Sequence, residues 1–336
     1  MSIRIVAKNF CSDKQQISLP VTAQDAWMSL PMSEADPVKK SKAQVFGARL
    51  LSTLILWAMV TGVFISGNVW AFIGLMTLIG LFGVWEYFQM TQKGGVPSQP
   101  KWGMLVCMLY LVTLAARLGN SETGGHAALD SLFGLDVAFF ILIVMGGFTC
   151  QLRRPVDGKK TVTEVAMTTL GFVYVAVLFS FLLRLLFLPD GDDPVPGAWL
   201  VIWLVAVTKF ADMGAYITGS LIGKHKMIPH ISPGKTWQGF GGGLAFSQLA
   251  GCGIFAMLPE QLAVLGGWAW VIALSLVLSL LAIIGDLAES VLKRSVGVKD
   301  SGNTLPGIGG ALDLIDSLCF TAPVLYLILR WMPECC

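Results

Sequence analysis

Asp286, Glu289, Ser290 and Lys293 recur at i, i+3, i+4 and i+7 within "GDLAESVLKRSVGVKD", the spacing that puts four side chains on one face of a helix. A Gly/Pro-rich stretch, "SGNTLPGIGG", separates them from Asp313 and Asp316, which stand i and i+3 at the start of the next apolar run. Unpaired N–H groups and the helix dipole favour anions at such a start. The turn folds the second helix back on the first, so that a carboxylate from each side can meet across it. Oxygen donors arranged in this way hold a hard divalent cation such as Mg²⁺, usually together with substrate phosphates. Each residue taken singly has a plainer reading: Asp313 as a helix cap, Lys293 and Arg294 as basic residues flanking a membrane span. Acids on both helix ends, with Lys293, Arg294, Lys299 and Asp300 between them and glycines in the turn, favour a site.

A second polar segment, residues 212–243, reads "DMGAYITGSLIGKHKMIPHISPGKTWQGFGGG" and is expected to be a loop. Its "SPGKT" is not a P-loop, because Pro229 stands where that motif needs its first glycine and no apolar strand precedes it. What remains is Lys235 flanked by Ser232, Gly234 and Thr236, donors suited to a phosphate beside small residues that let backbone approach. His225 and His230 have no metal-like spacing and read as solvated loop residues; His126 falls in a different loop, across the membrane. Trp237 reads as an interfacial anchor.

The elements that must carry these residues are membrane helices. The chain has 336 residues, 55% hydrophobic and 13% charged, with a mean hydropathy of +0.71. A soluble domain carries about 25% charged residues, and a spanning helix needs about 20 apolar ones in succession. About nine runs qualify, at residues 46–67, 69–88, 102–117, 133–151, 165–187, 197–212, 240–258, 267–285 and 313–332. The fold class is therefore an all-α polytopic membrane protein. No internal repeat is evident.

Loop charges orient it. With nine spans and a cytoplasmic N-terminus, the basic loop residues from Lys93 and Lys101 through Arg153, Arg154, Lys159, Lys160, Lys224, Lys226 and Lys235 to Lys293, Arg294 and Lys299 share one side, and Arg117 alone takes the other. Short cytoplasmic loops are the basic ones, which puts both polar segments in the cytoplasm. Residues 1–45, polar and without a secretory apolar region, read as a cytoplasmic tail; residues 46–190 form an N-terminal membrane region and 191–336 a C-terminal catalytic one. The net charge of +2 gives no sign of a nucleic-acid partner. Seven scattered cysteines without a CxxC pair argue against a disulfide framework and a zinc site of the usual spacing.

These motifs together resemble the phosphatidate cytidylyltransferase family, whose signature runs S-x-x-K-R-x-x-x-x-K-D-x-G-x-x-L-P-x-H-G-G-x-x-D-R-x-D. Ser290, Lys293, Arg294, Lys299, Asp300, Gly302, Leu305, Pro306, Gly309, Gly310, Asp313 and Asp316 all match it. The segment from Asp212 through "GKHK" and "SPGKTW" is similar to the family as well. Three positions depart: Ile308 replaces the signature histidine, Leu314 its arginine, and Gln238 the acidic residue usual after "SPGKTW".

The resemblance implies transfer of the cytidylyl group of CTP to phosphatidic acid, giving CDP-diacylglycerol and pyrophosphate, in a bacterial inner membrane, with Mg²⁺ and often in a homodimer. On this reading Asp286 and Asp313 lead as metal ligands with Asp316 as a third, and a second cation is left open. Lys235, Lys293, Arg294 and Lys299 contact phosphates, while Asp212 and Asp300 bind metal, orient a lysine or contact the nucleotide. Asp286, Lys293 and Asp313 are the expected catalytic residues, and Ser232, Thr236 and Ser290 complete the nucleotide contacts. Two alternatives remain: a cytidylyltransferase for another lipid phosphate, consistent with Ile308 and Leu314, and a silent lipid-binding paralogue. A transporter fits less well, since inverted repeats and helices broken at mid-membrane are its marks.

Overall fold

In water-free hydrocarbon every backbone polar group has to be satisfied within the protein, and long apolar runs therefore fold as helices. A computed structural model of the chain describes residues 58–120, 132–189, 197–298, 301–302 and 309–332. Among them, eight helical segments are long and apolar enough to cross a membrane. They are α1 (Val69–Lys93), α2 (Pro100–Gly119), α3 (Leu132–Gln151), a composite of α4 (Gly158–Gly171), a π-helical turn (Phe172–Val177) and α5 (Leu178–Leu185), then α6 (Ala198–Ile222), α7 (Trp237–Met257), α8 (Trp268–Ser295) and α9 (Ala311–Trp331). The first expected span lies largely outside the described residues, of which 58–66 are helical. The tail, residues 1–45, lies outside them entirely.

The helices that carry the site are longer than the apolar runs alone suggest. The eighth expected span stops at residue 285, yet α8 continues to Ser295 and is 28 residues long. At about 1.5 Å per residue it measures about 42 Å, against about 30 Å of hydrocarbon. Its last turns, with Asp286 to Lys293, thus extend beyond what lipid requires. Similarly, residues 212–243 are mostly not a loop. Asp212 to Ile222 complete α6, and α7 begins at Trp237. The hydroxyls there do not break the helix, because they bond carbonyls of the preceding turn, Thr218 to Gly214 at 2.7 Å and Ser220 to Tyr216 at 2.6 Å. Between the two helices lies a hairpin of β1 (Lys226–Ile228) and β2 (Ser232–Thr236), antiparallel with Lys226 opposite Thr236.

Helix α9 is the centre of the bundle. It packs on α8, α5 and α1, and two thirds of it is buried. Helices α6 and α7 lie closest together, since a Cβ on Gly239 would fall 2.7 Å from the Ala215 carbonyl. Such small residues let membrane helices meet at their backbones. Buried Trp203 fastens the same pair, its Nε1 donating to Gly251 O at 3.0 Å.

The N-terminal helices contain a polar knot of their own. Arg184, 4% exposed, lies 2.6 Å from Asp136 Oδ1, and Tyr110 donates to that oxygen at 2.8 Å while accepting from Arg184 at 3.1 Å. Buried ionic groups persist in an apolar bundle when paired and hydrogen-bonded in this way.

Candidate active site

Gly285 sets the meeting of α8 with α9. A Cβ at this position would stand 3.0 Å from both the Asp316 carbonyl and Ser317 Cα, so its lack of a side chain allows the two backbones into contact where Asp286 and Asp316 begin. Asp286, Glu289 and Asp316 then offer carboxylate oxygens within 4.8 Å of one another, the one such metal-capable group among the described residues. Glu289 and Asp316 are buried, 1% and 5% exposed. Glu289 Oε1 finds no hydrogen-bond donor. Three carboxyls so close, two of them out of water, can all be ionised only when cations stand among them.

Three lysines surround the set. Lys235, at the end of the hairpin, places Nζ 2.8 Å from Asp286 Oδ2 and donates to Ile283 O at 3.4 Å. Lys293 bridges Glu289 Oε2 at 2.7 Å and Asp313 Oδ1 at 2.9 Å. Lys209, one turn before Asp212 on α6, lies 3.7 Å from its carboxylate. The Ser317 hydroxyl joins the two sides, 2.9 Å from Asp316 Oδ1 and 3.3 Å from Asp212 Oδ2. Asp316 Oδ1 also accepts the Ser317 N–H at 2.5 Å.

The structure therefore brings Asp212, Lys235, Asp286, Lys293, Asp313 and Asp316 to one place, from four elements far apart in sequence. Within it Asp313 differs from the other expected ligands: one oxygen takes Lys293 and the other accepts the Gly310 N–H at 3.0 Å. Glu289 completes the three-carboxylate set instead. Thr236 is the N-cap of α7, its hydroxyl accepting the Gly239 N–H at 3.1 Å. Ser232 lies half-buried on β2 and Ser290 half-buried on α8, and among the described residues neither side chain bonds to the carboxylates. Arg294 is exposed and donates to Val298 O at 3.4 Å. Lys299, Asp300 and Ile308 lie outside the described residues. Leu314 packs half-buried against the core.

Gln238 has a definite task in place of an acid. Its Oε1 accepts the N–H groups of Lys224 at 3.1 Å and His225 at 3.2 Å, and its Nε2 lies 2.9 Å from His225 Nδ1. The amide thus ties the start of the hairpin to α7.

Glu289, Lys209 and Ser317 are additions that the motifs did not single out as ligands or contacts. Glu289 was on the polar stripe of α8, and Lys209 is a lone base in an apolar run, a signal in itself. Ser317 has no such mark, since its role depends on which helix faces it.

The sequence matches the model of the cytidylyltransferase family over residues 47–332. It is 31% identical to a phosphatidate cytidylyltransferase of Synechocystis sp., over 83% of this chain and 94% of that protein. It is 35% identical to that of Bacillus subtilis, over 60% of this chain and 70% of the other. An uncharacterized Escherichia coli protein, YnbB, is 30% identical over 80% of this chain and 97% of its own length.

Proposed function

The chain belongs to the cytidylyltransferase family, as an integral membrane protein, and from that premise we propose that it transfers the cytidylyl group of CTP to phosphatidic acid, releasing pyrophosphate and forming CDP-diacylglycerol. The observation that carries this reading is the group of three carboxylates, Asp286, Glu289 and Asp316, within 4.8 Å and flanked by Lys235, Lys293 and Lys209. The names of the Synechocystis and Bacillus relatives point to the same substrates.

The donor set fits a hard divalent cation. It consists of carboxyl oxygens only, and Glu289 Oε1 has no donor of its own. Asp286, Glu289 and Asp316 would hold Mg²⁺, whose charge offsets that of the triphosphate. A second cation at Asp212 is part of the same proposal.

The remaining work falls to the protein's own side chains. The lipid phosphomonoester, with a second pKa of about 6, is largely dianionic at neutral pH and needs no strong base. One of its oxygens attacks the α-phosphorus of CTP, a new P–O bond forms, and the bond between the α-phosphorus and its bridging oxygen to the β-phosphate breaks, so that pyrophosphate leaves with the electron pair. Lys235 and Lys293 are placed to exchange a carboxylate partner for a phosphate oxygen, neutralising charge that grows on the leaving group. Asp313 orients Lys293 in this scheme. Lys209, more than three turns before the C-terminal end of α6, would meet the lipid phosphate. The scheme puts CTP on the cytoplasmic side of a bacterial inner membrane, acyl chains between the helices, and a homodimer as the working assembly; Arg294, Lys299 and Asp300 border the nucleotide.

The test is transfer of label from α-³²P CTP into lipid by purified protein in detergent with Mg²⁺. Labelled lipid with phosphatidic acid supports the proposal. Label only with a different lipid phosphate would change the acceptor, and none with any acceptor would overturn it.

A further inference from the structure

Glu86 is the residue that the reaction scheme leaves unused and the fold does not explain by packing. It lies in α1 and is fully buried. An ionised carboxylate in such a place is costly unless hydrogen bonds satisfy it. Its Oε2 accepts the N–H of Leu312 at 2.8 Å, across 226 positions of sequence. The room for it comes from glycines on both ends of the signature turn: a Cβ on Gly302 would collide with Oε1, and one on Gly310 with Oε2 and with Ser301 Oγ.

The start of α9 shows why an outside carboxylate is needed. Its N-cap is Gly310, preceded by Gly309 at φ +122°, a conformation that favours glycine. A glycine cap has no side-chain oxygen for the first N–H groups, which Ser, Thr, Asp or Asn would otherwise satisfy. Asp313 reaches back to the Gly310 N–H, and Glu86 takes that of Leu312. The dipole of α9 favours a negative charge at this point.

That same first turn carries Asp313 onto Lys293 and leads into Asp316 of the carboxylate set. We propose that Glu86 is a positioning residue: from the N-terminal half of the bundle it fixes the first turn of α9, and with it the two aspartates on which cation and phosphate binding depend. The proposal rests on the cytidylyltransferase reading above. Partners of this kind typically change metal affinity or activity by about 10–100-fold when removed.

The test uses the full chain in detergent as wild type, Glu86→Leu, which removes the acceptor, and Glu86→Gln, which keeps one. Binding of Mn²⁺ alone is followed by electron paramagnetic resonance, and kcat and KM for CTP by pyrophosphate release. Glu86→Leu should stay folded, bind Mn²⁺ about 10–100-fold more weakly and lose kcat more than KM, with recovery in Glu86→Gln. A folded Glu86→Leu with wild-type Mn²⁺ affinity and kcat would overturn the proposal. If Glu86→Leu does not fold, Glu86→Asp, which keeps the carboxylate and shortens the reach, carries the same comparison. A wild type that neither binds Mn²⁺ nor turns over would sink the cytidylyltransferase reading instead. Hydrogen exchange over residues 309–316 then decides for Glu86: faster exchange confined there in the variant supports the anchor, and wild-type exchange removes it.

Discussion

Lys235 at the end of the hairpin and Asp286 on α8 are joined by a 2.8 Å ion pair, so the two polar segments of the sequence form one site. The lysine neutralises an acid that the scheme gives to a cation, and it is freed for phosphate when that acid is otherwise engaged. Lys235→Met should therefore lower kcat/KM by about 10²–10³, the cost of losing one preorganised donor to developing charge. Lys235→Arg, which keeps the charge, should lose less; steady-state kinetics over a CTP series measures both.

Glu289 is the most deeply buried member of the carboxylate set, and its Oε1 has no donor. Glu289→Gln removes an anionic ligand and also loosens Lys293. The Mg²⁺ concentration for half-maximal rate should rise about tenfold or more. A Mg²⁺ titration at saturating CTP reads it directly, and an unchanged requirement would exclude Glu289 from the set.

Gln238 replaces an acid of the family pattern, yet its amide oxygen holds the Lys224 and His225 N–H groups. Gln238→Glu keeps that acceptor and should stay within about threefold of wild type, whereas Gln238→Leu takes it away from two exposed donors and should lose about 5–30-fold, at about 0.5–1 kcal/mol for each of the two hydrogen bonds. Rates at fixed CTP compare the two.

Arg184 and Asp136 form a pair remote in sequence from the signature, inside the apolar bundle. Arg184→Met leaves the partly buried Asp136 carboxylate with the Tyr110 hydroxyl but without its cation and should cost up to about 3 kcal/mol of stability, while the double replacement Arg184→Met with Asp136→Leu should recover most of it. Unfolding in a graded denaturing detergent gives the comparison.

The reach of sequence reasoning here follows from what is local. Apolar runs of spanning length show in any window, so the membrane helices were legible, and the i, i+3, i+4, i+7 stripe of α8 already implied a shared face. The ends were not, because Asp212, Thr218 and Ser220 are polar yet helical, their hydroxyls satisfied within the turn. Nor was it legible that Asp313 would pair with Lys293 while Glu289 joined Asp286 and Asp316. That choice depends on the rotation of α9 against α8, which Gly285 and Glu86 set through contacts across the bundle. Ser317 and Lys209 enter for the same reason, from helices whose adjacency no spacing reveals.

The proposed role of the acids at the facing ends of α8 and α9 is to hold a divalent cation for cytidylyl transfer. Its most direct measurement is pyrophosphate release from CTP by purified protein with phosphatidic acid, with and without Mg²⁺, for wild type, Asp286→Asn and Asp316→Asn. Release should need both lipid and Mg²⁺ and be abolished in each variant while the protein remains folded. Folded variants that release pyrophosphate at the wild-type rate, or release that is indifferent to Mg²⁺, would contradict it.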